Sequence, residues 1–315
     1  MARFVVEPTD APSPFDEGCF IDERRAWVAG FQLKRTTDGG VTWQKLRPSP
    51  ESETVFGKMG STYVKPYFLT PTRGWLDAST GIWQTEDGGL TWRQIFSEGS
   101  PPRFADSQNG WLRVFLSETT EQSYVTRDGG RSWQRCGPVL KLSRQHPNSN
   151  VFFLKPQLGW AITNDGQRIN GVARTLDGGC NWEQLWVSED NPDERYSDIF
   201  FLNEREGWLA GNANGSLYHT TDGGRTWEDL PLPTESTKVF RVYFLDSAEG
   251  WIIAKPGVTG DAEGVFHTTD GGETWRKWTA SEIISGLSSN SGRRELPANW
   301  KAGQLLRMTL RRQNE

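Results

Sequence analysis

The chain is predicted to be all-β, a β-propeller built from four-stranded antiparallel blades. Three observations predict this. The first is a box of the form Thr-x-Asp-Gly-Gly-x-Thr-Trp, which with small variations occurs six times and ends at Trp43, Trp92, Trp133, Trp182, Trp227 and Trp275. The second is a Phe followed seven positions later by a Trp, before each box: Phe20 and Trp27, Phe68 and Trp75, Phe104 and Trp111, Phe153 and Trp160, Phe201 and Trp208, Phe244 and Trp251. A Gly stands just before that Trp in five of the six, at Gly74, Gly110, Gly159, Gly207 and Gly250, and Ala26 replaces it in the first. The two signatures recur at intervals of 36 to 49 residues, the period of propeller blades or solenoid repeats. The third observation is composition. Sixteen Trp, sixteen Phe and 34 Gly against three Met suit short aromatic strands joined by glycine turns, not long amphipathic helices.

Taken in order, the repeats span approximately residues 18–46, 64–97, 102–137, 149–187, 197–230 and 238–279. The fifth shows the layout of all six. "SDIFFLN" is its first strand, "GWLAG" the second, "SLYHTT" the third and "TWEDLPL" the fourth. Each is an alternating or β-branched apolar run bounded by Gly, Asn or Asp. Helical periodicity is not sustained over ten residues anywhere in the chain. Residues 1–17 and 280–315 together are long enough for one more blade. "ARFVVEP" is strand-like, and in "GQLLRMTLRR" Leu306, Met308 and Leu310 alternate with Arg307, Thr309 and Arg311. The expectation is a single domain over 1–315, with both ends closing a degenerate seventh blade. Six blades with a terminal extension is the alternative.

Within the box, the chemistry is local. An Asp carboxylate accepts hydrogen bonds from backbone N–H groups a few residues on, and the glycines supply positive φ at little steric cost. Asp38, Asp87, Asp128, Asp177, Asp222 and Asp270 therefore read as turn staples. One Asp per blade at a constant place does not make one catalytic site. Twelve of the sixteen tryptophans occupy the two repeated positions, so packing between neighbouring blades is their expected role. A sugar-stacking platform is the alternative. The box residues Trp43, Trp92, Trp133, Trp182, Trp227 and Trp275 are assigned to the structural core.

These boxes resemble the Asp-box, or BNR, repeats of sialidase-type propellers. The whole unit, with an opening such as "FLDSAEGW", is most similar to the photosystem II stability/assembly factor-like family over residues 18 to 280. The resemblance implies a propeller that holds another protein during assembly, without catalysis. Many members of that family carry an export signal or lipoprotein start. The opening "MARFVVEPTDAPSP" lacks a signal-peptide apolar core, so the expected location is cytoplasmic, or periplasmic or lumenal if Met1 is not the native start.

A meander sends alternate turns to opposite faces. The Phe-to-Trp turn and the box share one face and barely change in length. The second turn and the link between blades share the other, and the Trp-to-Trp distance across the second turn runs from 16 residues (Trp27 to Trp43) to 24 (Trp251 to Trp275). Variable loops on a rigid scaffold are where binding usually lives, so that face is the candidate surface for a protein partner, with the chain expected to act as an assembly factor or as an inhibitor or immunity-type protein. Two of its links carry charge. Lys141, Arg144 and His146 make one basic; Glu189, Asp190, Asp193 and Glu194 make the next acidic, followed by Arg195 and Tyr196.

Other functions are weaker readings. A net charge of −5 does not favour nucleic acid, and no apolar run approaches a membrane span. Cys19, Cys136 and Cys180 are odd in number with no C-x-x-C pair, which argues against a disulfide framework and against zinc. No cofactor or metal is expected. His219 and His267 both precede Thr-Thr-Asp in successive repeats and read as structural. A sialidase-like or glucanase-like glycoside hydrolase, or a carbohydrate-binding propeller, is the alternative function. Such enzymes need a pair of carboxylates at defined separation, and sialidases also need an arginine triad for which no opening motif is present.

Overall fold

A computed structural model describes residues 2–9, 17–22, 24–29, 33–48, 65–78, 80–117, 120–141, 151–164, 170–188, 195–211, 215–233, 238–255 and 264–278. Every regular element among these residues is a β-strand. A leading strand, β1 (Ala2–Thr9), precedes six meanders of four. The first blade holds β2 (Glu17–Phe20), β3 (Ala26–Ala29), β4 (Leu33–Thr36) and β5 (Trp43–Pro48); the second holds β6 (Lys65–Phe68), β7 (Gly74–Ala78), β8 (Gly81–Thr85) and β9 (Thr91–Phe96). The third comprises β10 (Arg103–Phe104), β11 (Gly110–Ser117), β12 (Thr120–Thr126) and β13 (Gln134–Lys141). The fourth comprises β14 (Val151–Phe153), β15 (Gly159–Asn164), β16 (Asn170–Thr175) and β17 (Glu183–Val187). β18 (Tyr196–Phe201), β19 (Gly207–Gly211), β20 (Ser216–Thr220) and β21 (Glu228–Asp229) form the fifth. β22 (Lys238–Phe244), β23 (Gly250–Lys255), β24 (Gly264–Thr268) and β25 (Arg276–Lys277) form the sixth.

Each blade is hydrogen-bonded in chain order, as the repeat predicts for propeller blades. In the fifth, "GWLAG" is β19 in full, and the fourth strand is shorter than expected. Pairing there continues past β21 as a single bond, Leu230 N–H to the Leu217 carbonyl at 2.7 Å.

The seventh blade is corrected at its N-terminal half. β1 is a strand, but it pairs antiparallel with β5 from Phe4↔Pro48 to Thr9↔Trp43, and with β9 through Ala2↔Trp92 and Arg3↔Thr91. The first two blades thereby join in one nine-stranded sheet. The physical reason is the edge: the last strand of a blade presents unpaired backbone groups, and β1 satisfies those of β5 and β9. The expected C-terminal partner, "GQLLRMTLRR", lies outside the described residues.

The chain divides into two compact units, one around the first two blades and one around the last four, with Leu112–Phe115 grouped with the first. In the first unit the core gathers Trp27, Leu33, Leu46, Phe68, Leu76, Trp83 and Trp92. In the second, one cluster gathers Trp160, Ile162, Val172, Ile199, Phe201 and Leu209.

One pattern recurs at seams inside each unit, although Trp111 meets Phe153 tilted by 56° at 6.4 Å and the Trp208 indole N–H has no hydrogen-bond partner among the described residues. The tryptophan of the Gly-Trp pair stacks flat on the phenylalanine of the following blade: Trp27 on Phe68 at 3.7 Å, Trp160 on Phe201 at 3.6 Å and Trp208 on Phe244 at 3.7 Å between ring centroids. At three seams the indole N–H reaches on to the following blade's box. Trp27 donates to the Gly88 carbonyl at 3.0 Å, Trp111 to Gly179 at 2.9 Å and Trp160 to Gly223 at 2.9 Å. The box tryptophan then meets the phenylalanine of its own blade edge-on, as Trp92 does Phe68 and Trp227 does Phe201, both at 6.1 Å. Such aromatic pairs add about 0.5–1.5 kcal/mol each beyond the area they bury.

The glycine of the Gly-Trp pair follows from the same packing. A Cβ on Gly74, Gly110, Gly159, Gly207 or Gly250 would lie 2.4–2.6 Å from the ring of Phe68, Phe104, Phe153, Phe201 or Phe244. The phenylalanine occupies the space a side chain would need.

The cysteine expectation is also corrected. Cys136 and Cys180, 44 residues apart, form a disulfide. Their pairing depends on the meeting of β13 with the fourth blade's box, which spacing along the chain does not reveal.

Candidate functional site

The face that carries the boxes is occupied by its own bonds. In the fifth blade Asp222 Oδ1 accepts from the N–H groups of Arg225 at 2.9 Å and Thr226 at 3.0 Å, and from the Thr220 hydroxyl at 2.9 Å. Its Oδ2 accepts from the Thr226 hydroxyl at 2.7 Å. Thr220 Oγ1 in turn accepts from the Gly224 N–H at 3.0 Å. The same lattice recurs around Asp38, Asp87, Asp128, Asp177 and Asp270. Both box glycines take positive φ, for example 81° at Gly223 and 91° at Gly224, where L side chains are strained.

Each box is tied to the first turn of its own blade. The N–H of the first box glycine donates to that turn: Gly39 to Arg24, Gly88 to Thr72, Gly129 to Gln108, Gly178 to Gln157, Gly223 to Arg205 and Gly271 to Ala248, at 2.7–2.9 Å. The two turns therefore share a face in every blade. In several blades the first turn has its own side-chain acceptor, such as Asp246, which takes the N–H groups of Ala248 and Glu249.

These bonds set the box electrostatics. Hydrogen bonds from the Thr42 hydroxyl, the Thr42 N–H and the Thr36 hydroxyl lower Asp38 to about 2. At Asp128 and Asp222 burial pushes the carboxyl up, but the Ser132 or Thr226 donors and their neighbours outweigh it, and both also settle at about 2. Groups so firmly ionised are poor general acids near neutrality. Their role is to hold the turn.

A second charge arrangement lies on the first strands. Asp198 on β18 accepts from the Val242 N–H of β22 at 3.1 Å. Beside it, Arg241 donates to the carbonyls of Phe240 at 2.9 Å and Ser197 at 3.3 Å, and the Ser197 hydroxyl donates to the Val239 carbonyl at 2.7 Å. Burial raises Asp198 to about 6, against the pull of Arg241, the Val242 and Ile199 N–H groups, and Arg103. The charges that act on it most strongly are those of Arg241 and Arg103, which favour its ionised form. Sequence reasoning passed over these residues. The one available signal was a charge, Asp198 or Arg241, three positions before the repeat phenylalanine in an apolar strand.

Of the loop residues singled out on the variable face, Arg144, His146, Glu189, Asp190, Asp193 and Glu194 lie outside the described residues. Lys141 ends β13. Arg195 is exposed, but Tyr196 is 7% exposed, with its hydroxyl donating to Ser188 Oγ at 2.9 Å and its ring against Trp186 and Tyr218. His219 and His267 each lie on the Gly-Trp tryptophan of their blade and beside Glu206 or Glu249. Among the described residues no group of three or more His, Cys, Asp or Glu is placed to hold a metal ion. No helix among them is long and apolar enough to cross a membrane.

Residues 134–238 and 180–290 match the profile of a family described as "Photosynthesis system II assembly factor YCF48". The photosystem II assembly lipoprotein Ycf48 of Synechococcus sp. (strain CC9902) is 32% identical over 279 residues, covering 76% of this chain and 81% of the relative. The chain belongs to the Ycf48 family. A solved structure described as YCF48 bound to D1 peptide aligns with a TM-score of 0.56 at 19% identity, over 86% of this chain and 85% of that one. A GH74 xyloglucanase from Xanthomonas campestris aligns with a TM-score of 0.53 at 12% identity, over 80% of this chain and 44% of the enzyme. At those identities both show a shared fold alone. The cytoplasmic location expected from the opening residues is corrected by several of the relatives, among them those of Synechococcus sp. (strain CC9902) and Nostoc sp. (strain PCC 7120), which are named lipoproteins.

Proposed function

We propose that this chain is a non-catalytic assembly factor that binds a segment of another protein, with the D1 protein of photosystem II as the client. The observation that carries the reading is membership of the Ycf48 family at 32% identity over 279 residues. The structural relative that carries a D1 peptide supports the choice of client. The docking surface is the loop face opposite the boxes, because the box carboxylates and glycines spend their donors and acceptors on their own turns and seams. The exposed Arg195 is assigned to that surface, and the acidic residues at 189–194 that precede it in sequence are further candidates for contact. The chain works outside the cytoplasm, a placement supported by the lipoprotein relatives and by a disulfide, which persists in oxidising compartments.

The test is a binding titration of the full chain against labelled peptides tiling D1. Expected is saturable binding of one tile, weakened at least about tenfold (about 1.4 kcal/mol) when 189–194 is replaced by Gly/Ser and Arg195 by Ala. No binding by any tile overturns the client. Unchanged affinity in the loop variant overturns the surface. Turnover of a β-glucan or sialoside that Asp198→Asn abolishes would instead establish a glycosidase.

A further inference from the structure

The seam between the third and fourth blades differs in chemistry from its counterparts. At two other seams the residue three positions after a box tryptophan faces the second glycine of the next box. Leu46 does this at the first seam, its Cδ1 3.0 Å from where a Cβ on Gly89 would stand, and Leu230 does it against Gly272 at 2.9 Å between the fifth and sixth blades. Both contacts are apolar and non-covalent. Between the third and fourth blades the equivalent residue is Cys136, three after Trp133, and it meets Cys180, the residue that follows Gly179. The two sulfurs are bonded, with Cα atoms 5.0 Å apart, inside the usual disulfide range.

The local backbone is shaped around this meeting. Gly137 has φ 68°, and a Cβ on it would fall 1.8 Å from the Cys180 carbonyl oxygen, so only glycine lets β13 pass the box here. Gln122 Nε2 donates to the Cys136 carbonyl at 2.7 Å and to that of Gly137 at 3.3 Å, which fixes the bulge beside the bond. Cys136 and Cys180 are only half-buried, and Gly137, Pro138 and Val139 next to them are exposed, so the bond lies close to the surface of the seam. The seam also keeps a link independent of redox state, the Trp111 N–H to the Gly179 carbonyl at 2.9 Å. Opening the disulfide therefore loosens the blades without undocking them.

We propose that Cys136 and Cys180 form a reversible dithiol–disulfide switch that sets the tightness of the third-to-fourth blade seam. The co-reactant is a disulfide of the thiol–disulfide oxidoreductase or glutathione class. One cysteine thiolate attacks it and releases one partner thiol, leaving a mixed disulfide. The second thiolate attacks the protein sulfur of that mixed disulfide and expels the other partner thiol. Two electrons pass to the partner, and the two cysteine protons end on its thiols. A dithiol reductant runs the same steps backward. The inference stands independently of the client protein, since it concerns only this chain's own seam.

The test equilibrates the full chain in glutathione buffers of graded ratio, then quenches and alkylates it for mass analysis, with Cys19 as the background thiol. Amide hydrogen exchange is read on the same samples. Expected is joint labelling of Cys136 and Cys180 in one two-electron transition while tryptophan fluorescence and gel filtration stay native. In the reduced chain, amides at 134–137 and 176–182 exchange at least about tenfold faster, and those of the second-blade box at 85–92 do not change. Cys136→Ser with Cys180→Ser holds the fast rates in every buffer. Three results overturn the proposal: alkylation of both cysteines under fully oxidising conditions, a bond reduced only after unfolding, or unchanged exchange on reduction. The wild-type titration decides among these even if the double variant does not fold.

Discussion

Substituting Gly207→Ala adds one methyl group at a seam that has no room for it. Gly207 opens β19 directly across from Phe201, and a Cβ there would stand 2.6 Å from Cδ1 and 2.7 Å from Cε1 and Cγ of that ring. Ordinary contact between carbons is about 3.5–4.0 Å, so the ring has to retreat by roughly 1 Å. It has nowhere to go: Phe201 is 1% exposed, stacked at 3.6 Å on Trp160 and flanked edge-on by Trp227. Over-packing of this kind costs about 1–3 kcal/mol, and a spoiled aromatic stack about 0.5–1.5 kcal/mol more. The lower entropy of an unfolded chain with Ala in place of Gly returns about 0.4–1 kcal/mol. The net expectation is a loss of about 2–3 kcal/mol. Urea unfolding followed by tryptophan fluorescence reads it as a lower midpoint with the slope preserved. Adding Phe201→Leu to Gly207→Ala should cost less than the two single changes summed, because the smaller side chain makes room for the methyl. A Gly207→Ala protein within about 0.5 kcal/mol of wild type would refute the claim that the phenylalanine is what excludes a side chain here.

Two further expectations concern pH. Asp222→Ala strands the N–H groups of Arg225 and Thr226 and two hydroxyls, at a cost of about 1–3 kcal/mol. Because Asp222 sits at about 2 when folded, below its unfolded value, its stabilisation is present above about pH 4 and fades as pH falls toward 2. The variant should therefore lose less of its midpoint than wild type on that acid limb, and an equal loss would sink the idea. Asp198 has the opposite sign. With its pKa raised to about 6 by burial against the pull of Arg241, its contribution is full below about pH 4 and lost as pH rises through 6. Asp198→Asn should flatten the urea midpoint over that window, and a profile parallel to wild type would count against the assignment.

The parts of the molecule legible in the sequence are those each blade encodes for itself. The box reads clearly because Asp222, Gly223, Gly224 and Thr226 solve a turn with their own backbone and side chains, and the solution repeats. The Phe-to-Trp interval reads for a related reason: Phe201 demands a glycine opposite, and both signals lie within eight residues. What stayed hidden depends on meetings between distant segments. β1 is strand-like in any reading, but its partners are chosen by which edges stand open, not by its residues. Cys136 and Cys180 carry no spacing motif, since each lies in a different blade. The Asp198 and Arg241 pair appears as two unrelated charges until β18 and β22 come side by side. Loops such as 189–194 offer the least, because no repeat constrains them.

The direction of the indole hydrogen bond has a consequence for synthesis. Trp27, Trp111 and Trp160 each take an acceptor 61, 68 and 63 residues further along the chain, never one already made. On a ribosome, a blade with its four strands complete still holds out a tryptophan whose partner has not been translated. Each of these three seams closes only when the next box emerges, so its two blades dock in the order in which they are translated. A chain stalled before one of these boxes ends in an unfinished apolar edge, which a quality-control protease or chaperone would find.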